Sequence, residues 1–234
     1  MLPESSRRWL PRRSDAITVR AWLGSPIVWD HYDGVTLDGA LQYAVVALES
    51  GVMPDDLFAG YTGAHIEIPI PVRDVTLAGS DIALCSWAHL PGCSTDDVRV
   101  RRRRLRVDSM GGTAKVRANQ GPFKATQLPT PTMCVPYVEF YVDGDRELLR
   151  GLLVEVAAIG RARGGGLGHV IGYELIPRSG DVLVRNGKLT RTVPAGSVRG
   201  VDANSYSTRE ATTRAPYWKR DSRQLCWVPV LEAA

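Results

Sequence analysis

Residues 135–176 read VPYVEFYV-DG-DRELLRGLLVEVAAI-GRARGGGLG-HVIGYELI. Val135–Val142 is rich in β-branched and aromatic residues, which pack well on a pleated surface, and it reads as a strand. The spacing then predicts a helix over 145–159. Asp145 can accept hydrogen bonds from the first-turn N–H groups, and Leu148, Leu149, Leu152, Leu153, Val156 and Ile159 recur on one helical face. Five glycines follow within Gly160–Gly168, and His169–Ile176 reads as a second strand.

The same strand–helix rhythm occurs earlier. Ala16–Leu23 alternates Ile17, Val19, Ala21 and Leu23 toward one side, the mark of a half-buried strand. A helix over 36–50 follows, capped by Thr36, with Leu37, Leu41, Ala44, Val45 and Leu48 at helical spacing and Gly51 as its stop. Two such units predict an α+β fold: a ferredoxin-like (RRM-like) core in which an antiparallel sheet is backed by two helices. The expected organisation is a disordered basic arm over 1–14 and a core over 15–176. A long insertion at about 71–130 would interrupt the core, and a β-rich extension over 177–234 would follow it. His65–Ile70, just before the insertion, alternates like a strand that Pro69 confines to a sheet edge, and Ile82–Trp87 within it reads as another short strand. In the extension, Asp181–Val184, Leu189–Val193 and Leu225–Val230 do so, and 200–215 reads as a polar stretch.

Charge is unevenly distributed. The net +4 of the 234 residues sums three unequal parts: +3 over 1–13, with 4 basic residues and 1 acidic, −10 over 14–97, with 2 basic and 12 acidic, and +11 over 98–234, with 23 basic and 12 acidic. Of the 29 basic residues, 25 are Arg. Guanidinium groups make planar, bidentate contacts to phosphate and stack on bases, which ammonium groups do not. The acidic part is suited to protein contacts and the basic part to nucleic acid. No apolar run reaches the ~20 residues of a membrane-spanning helix. Four scattered cysteines do not make a disulfide framework, so a reducing cytoplasm is the expected compartment.

Three known phosphate-binding loops are glycine-rich, and the segment fits none of them. A P-loop ends in Gly-Lys-Ser/Thr and opens a helix; that ending is missing. A dinucleotide-binding loop follows a strand and precedes a helix, the reverse of the order here. A kinase loop joins two strands and needs a later Asp-Phe-Gly, which is absent. What remains is a turn with little side chain, flanked by Arg161 and Arg163. Glycines allow close backbone approach and their N–H groups can cradle phosphates. That suits a single-stranded RNA backbone.

The helix, then Gly160-x-x-Arg163-Gly164-Gly165-Gly166-x-Gly168-His169-Val170, then a strand, resembles the C-terminal glycine-rich loop of the RAMP (repeat-associated mysterious protein) superfamily of CRISPR proteins. Leu37-Asp38-Gly39-x-Leu41 is similar to the entry to the first helix in RAMP subunits of type IV CRISPR systems. The resemblance covers 16–50 and 135–176 closely and the rest loosely. It implies a small, non-catalytic subunit that caps the 5′ handle of the guide RNA (crRNA) in an effector complex for antiviral or anti-plasmid defence. The backbone and large subunits of that complex are the implied protein partners. Target DNA, read at its short flanking motif, and a helicase recruited to the complex are further ones. The RNA-binding candidates are Gly160, Arg161, Arg163, Gly164, Gly165, Gly166, Gly168 and His169. Trp29 and His31, in the loop after the first strand, join them.

Six Arg in eight positions, including Arg101, Arg102, Arg103 and Arg104, form a further candidate strip for phosphates, either on a bulged strand pair or on a basic protrusion. Tyr217, Trp218, Lys219 and Arg220 combine rings with charge and are candidates for DNA or RNA contact, with a subunit interface as the alternative. Cys85, His89, Cys93 and Cys134 lack the closely paired spacing of a zinc site, so no metal or other cofactor is expected. His31, Tyr32 and His169 could instead serve general acid–base cleavage of RNA. The alternative function is therefore a metal-independent endoribonuclease that processes the guide precursor. A third reading is an assembly protein whose acidic front docks a basic partner.

Overall fold

The structure, a computed structural model, describes residues 4–29, 34–50, 68–91, 95–103, 126–215 and 223–230. In chain order its regular elements are β1 (Asp15–Leu23), β2 (Ile27–Val28), α1 (Leu37–Ser50), β3 (Asp74–Leu77), β4 (Ser80–Ala83), β5 (Thr95–Arg103) and β6 (Thr126–Cys134). Then come β7 (Tyr137–Gly144), α2 (Arg146–Leu153), β8 (Val170–Pro177), β9 (Val184–Arg185), β10 (Lys188–Leu189), β11 (Val193–Pro194), β12 (Tyr206–Ala211) and β13 (Gln224–Pro229). The fold is α+β, with antiparallel sheets and two α-helices among the described residues.

The central sheet has the order β7-β1-β8, with β1 antiparallel to both neighbours. Its inner face carries Ile17, Val19 and Ala21 from β1 and Val138, Phe140 and Val142 from β7, all nearly inaccessible to water. Against it lie Leu37, Leu41, Ala44 and Val45 of α1 and Leu149, Leu152 and Leu153 of α2. Along the outer edge of β7, isolated bridges join Cys85 to Val142 and His89 to Glu139. Residues 85–89 thus take the place of a fourth, irregular strand, an arrangement compatible with a ferredoxin-like core.

The N-terminal segment departs from the expected disordered arm. Glu4–Trp9 forms a 3₁₀ turn, Trp9 is buried, and its indole N–H donates to Glu49 of α1 at 2.9 Å. A ring of this size removes enough apolar area to order the segment in spite of its four arginines. The expected strand over 65–70 is not formed in its described part: Ile68 and Ile70 are buried in irregular chain.

β5 and β6 form an antiparallel pair from Thr95↔Cys134 to Arg103↔Thr126, so the arginine-rich run lies on one arm of a two-stranded ribbon. β6 carries two prolines, Pro129 and Pro131. The Pro131 carbonyl accepts from the Trp29 N–H, so these residues face away from β5, where a missing N–H costs no ladder bond. Beyond β2 this also blunts the ribbon's edge.

The C-terminal part has its own cluster. Val182, Leu183, Leu189 and Val193 pack with Ile82, Leu84 and Tyr141, and Tyr206 stacks on Trp227 at 4.4 Å. It is tied to the first unit by a buried ion pair: Arg191 donates to Asp38 at 2.7 Å, to the Cys85 carbonyl at 2.6 Å and to the Thr213 carbonyl at 2.9 Å. β12 forms within the stretch expected to be merely polar, because its alternate residues pair along β13.

Candidate nucleic-acid interface

The helix before the glycine-rich segment ends at Leu153, six residues earlier than its periodicity predicts. Val156 and Ile159 are buried at the spacing a longer helix would give, but they reach the core from a turn and an extended run. The Ile159 N–H donates to the Gly168 carbonyl, the Val170 N–H donates to the Ala157 carbonyl, and Ala158 bridges His169. Gly160–Gly168 is therefore the tip of a tight antiparallel return and not a helix cap.

Within that tip the glycines divide into two kinds. Gly160, Gly166 and Gly168 have φ of +80°, +76° and +67°, in the left-handed region that favours glycine, and Ala162 joins them at +58°. At Gly168 a Cβ would stand 2.0 Å from the Ile159 carbonyl oxygen, so this position is glycine for reasons internal to the chain. Gly164 and Gly165 have no positive φ, and a Cβ on either would meet nothing within 4 Å. No contact among the described residues asks for their bareness.

The loop is held firmly at its base. The Gly168 N–H donates to the Pro26 carbonyl at 2.8 Å, the His169 N–H to Ser25 Oγ at 2.9 Å, and the Gly24 N–H to the His169 carbonyl at 2.9 Å. The Arg163 guanidinium lies over the Tyr43 ring of α1 at 4.6 Å. Arg161, Gly164, Gly165, Gly166 and His169 are exposed. The result is an exposed backbone turn, anchored at its base, with two arginines beside it. Sequence reasoning missed Tyr43 and Ser25. Tyr43 was discernible only as a ring at the rim of the apolar face of α1, and nothing local marks Ser25.

The remaining candidates are dispersed. Trp29 is 4% exposed and belongs to the main core, so its ring is not on the surface beside the loop. The chain after the first strand returns to pair with β6 through Ile27↔Met133 and Val28↔Thr132, and that pairing draws Trp29, the residue after it, inward. Arg101, Arg102 and Arg103 lie on β5, in the ribbon and not in the loop. Arg104, His31, Tyr32, Tyr217, Trp218, Lys219 and Arg220 lie outside the described residues.

The Cys85–His89 segment is packed inside the chain, with Ser86 Oγ accepting from the Tyr141 N–H and His89 Nε2 buried without a hydrogen-bond partner among the described residues. Burial pushes the Cys85 thiol up to about 12, with the Asp38 carboxylate adding to the effect, and its S–H donates to the Ser86 carbonyl. His89 stacks on Tyr141 at 4.4 Å, and burial followed by the nearby Arg185 charge pushes it down to about 4. Both groups are thereby kept neutral near pH 7. Among the described residues no three His, Cys, Asp or Glu side chains gather to hold a metal ion, and no helix is long and apolar enough to cross a membrane.

No curated protein matches the chain. Among protein families, residues 92–229 match the one described as CRISPR type IV associated protein Csf3. That stretch is more than half of the chain and includes the basic ribbon, α2, the glycine loop and the C-terminal cluster. The chain belongs to the CRISPR type IV associated protein Csf3 family.

Proposed function

We propose that the chain is a non-catalytic RNA-binding subunit of a type IV CRISPR effector complex, a RAMP protein that caps the 5′ handle of the guide RNA. The observation that carries this reading is the pair Gly164 and Gly165. They are bare at positions where a side chain would meet nothing within the chain, on a turn whose base is fixed by three hydrogen bonds. Bareness with no internal cause fits close approach by an outside backbone, and the flanking Arg161 and Arg163 favour an anionic one. The order β7-β1-β8 supports a RAMP core over 15–176, with an insertion at about 71–130 and an extension over 177–234. The basic ribbon extends the RNA path or meets target DNA. The acidic front faces the backbone and large subunits, and the complex works in the cytoplasm.

The test is binding of the purified full-length chain to handle RNA across a salt series. Replacing Arg161 and Arg163 together with Ala should weaken binding at every salt concentration. It should also flatten the log–log salt slope by about 1.4, roughly 0.7 for each single-strand phosphate no longer neutralised. Unchanged affinity and slope in the double variant would remove the loop from the RNA path.

A further inference from the structure

Gly160–Gly168 itself offers backbone and charge but carries no ring; the Tyr43 ring beside it is covered by Arg163, and His169 at its end offers only a small imidazole. Rings stand next to it, on the outer face of the central sheet. β1 sends Ile17, Val19, Ala21 and Leu23 into the core, so Thr18, Arg20 and Trp22 take the opposite face. Trp22 lies across from Tyr137 on β7, and Arg20 lies between Glu139 on β7 and Glu174 on β8.

This group is built and held. The Trp22 and Tyr137 rings meet edge to face, with centroids 5.0 Å apart and planes at 65°. The Arg20 guanidinium lies 4.5 Å over the Tyr137 ring and 5.7 Å from that of Trp22. It is fixed by donation to Glu139 at 2.8 and 3.0 Å and to Glu174 at 3.1 Å. Trp22 nevertheless remains 37% exposed.

The space beside the indole is open for a specific reason. Its other cross-strand neighbour is Gly172, in mid-strand, where a Cβ would meet nothing within 4 Å. A glycine there weakens the strand and leaves room for a close approach. Two residues on from Trp22, the Gly24 N–H is bonded to the His169 carbonyl at the foot of the glycine loop. An exposed indole, a half-buried phenol ring and a guanidinium thus lie on the strands whose ends hold the foot of the loop.

We propose that Trp22 and Tyr137 form a base-stacking platform for the single-stranded RNA whose backbone passes over Gly164–Gly166. The assignment rests on the reading of the loop given above. Stacked aromatic faces accept any base, and Arg20 adds a cation against the rings. The carboxylates of Glu139 and Glu174 repel phosphate and accept hydrogen bonds from exocyclic amino groups, so this face takes bases while the loop takes backbone.

The experiment uses the full-length chain, two fluorescein-labelled probes (a single-stranded RNA of handle length and the same ribose-phosphate strand without bases), and the variants W22A, W22F and R161A/R163A. W22A should weaken binding of the base-containing strand about tenfold and leave the abasic strand unchanged, while W22F stays within about twofold of the parent on both. Ultraviolet cross-linking of unmodified RNA to the parent chain should map to Trp22 or Tyr137. R161A/R163A should weaken both probes. If W22A binds both probes like the parent while R161A/R163A weakens both, the platform is wrong and the loop reading stands. If R161A/R163A binds both like the parent, the loop reading fails, and cross-links then decide the platform alone. Equal losses on both probes for W22A and W22F, or loss of a partner subunit in place of RNA, would overturn the platform in favour of a structural or protein-docking role.

Discussion

Replacing Arg191 with Met tests whether the C-terminal part is an integral half of this fold. Arg191 and Asp38 are 153 residues apart in sequence, their contact is 2.7 Å, and their side chains are 1% and 0% exposed. At an effective dielectric of about 20, two unit charges at that distance attract by roughly 6 kcal/mol. Taking both ions out of water costs several kcal/mol each, which offsets most of that gain, so the intact pair adds little net stability. Breaking it is different. Methionine keeps the apolar stem, removes the charge, leaves Asp38 buried, and strips a donor from the carbonyls of Cys85 and Thr213. The expected loss is about 3–5 kcal/mol in urea-induced unfolding. Adding Asp38→Asn to R191M should restore part of it, because the buried negative charge that has lost Arg191 is gone while the two carbonyls still lack that donor. If R191M lost less than about 1 kcal/mol, or if the second substitution brought no recovery, the pair would not be the buried strut described here.

His89 predicts a pH dependence. Its folded-state value is depressed to about 4, so the unfolded chain binds the proton more readily between about 4 and the ordinary 6.5, and folding stability rises with pH across that window. The contribution is complete above pH 6.5 and falls by roughly 3 kcal/mol as the pH drops to about 4. His89→Phe should flatten the curve when unfolding is followed between pH 4 and 8. Gly168→Ala should cost at least about 2 kcal/mol, from a φ of +67° and a Cβ 2.0 Å from the Ile159 carbonyl oxygen. Gly165→Ala should leave the thermal midpoint within about 2 °C while weakening RNA binding. A destabilised G165A, or a G168A of parental stability, would contradict the division of the loop glycines. Phe140→Ala, at the centre of the sheet, should cost about 3–5 kcal/mol, and a smaller loss would mean that the cavity collapses.

Much of the central architecture was legible in the sequence because it is written in short-range periodicity. Ile17, Val19, Ala21 and Leu23 alternate and are buried as a set. Leu149, Leu152 and Leu153 follow a helical face, and Asp145 caps it through the N–H groups of Glu147 and Leu148. The end of that helix was not legible: Val156 and Ile159 are buried in either geometry, so spacing could not separate a helix from an extended return. β6 carries Pro129 and Pro131, residues that weaken a strand signal in sequence, and only the neighbouring strands show which side of the ladder they face. Trp29 was misread because a ring in a loop looks exposed until the pairing of β2 turns it inward.

The sequence by itself determined which residues seek the core, where the charge lies and where glycines concentrate, since these depend on composition and on contacts a few residues apart. The tertiary structure decided the rest, because those features rest on contacts between distant residues. It separated the glycines that serve the turn from the two whose bareness no contact among the described residues requires. It brought Arg191 to Asp38 and Tyr43 to Arg163. It also set Trp22 beside Tyr137, 115 positions away, next to a glycine loop that neither strand announces.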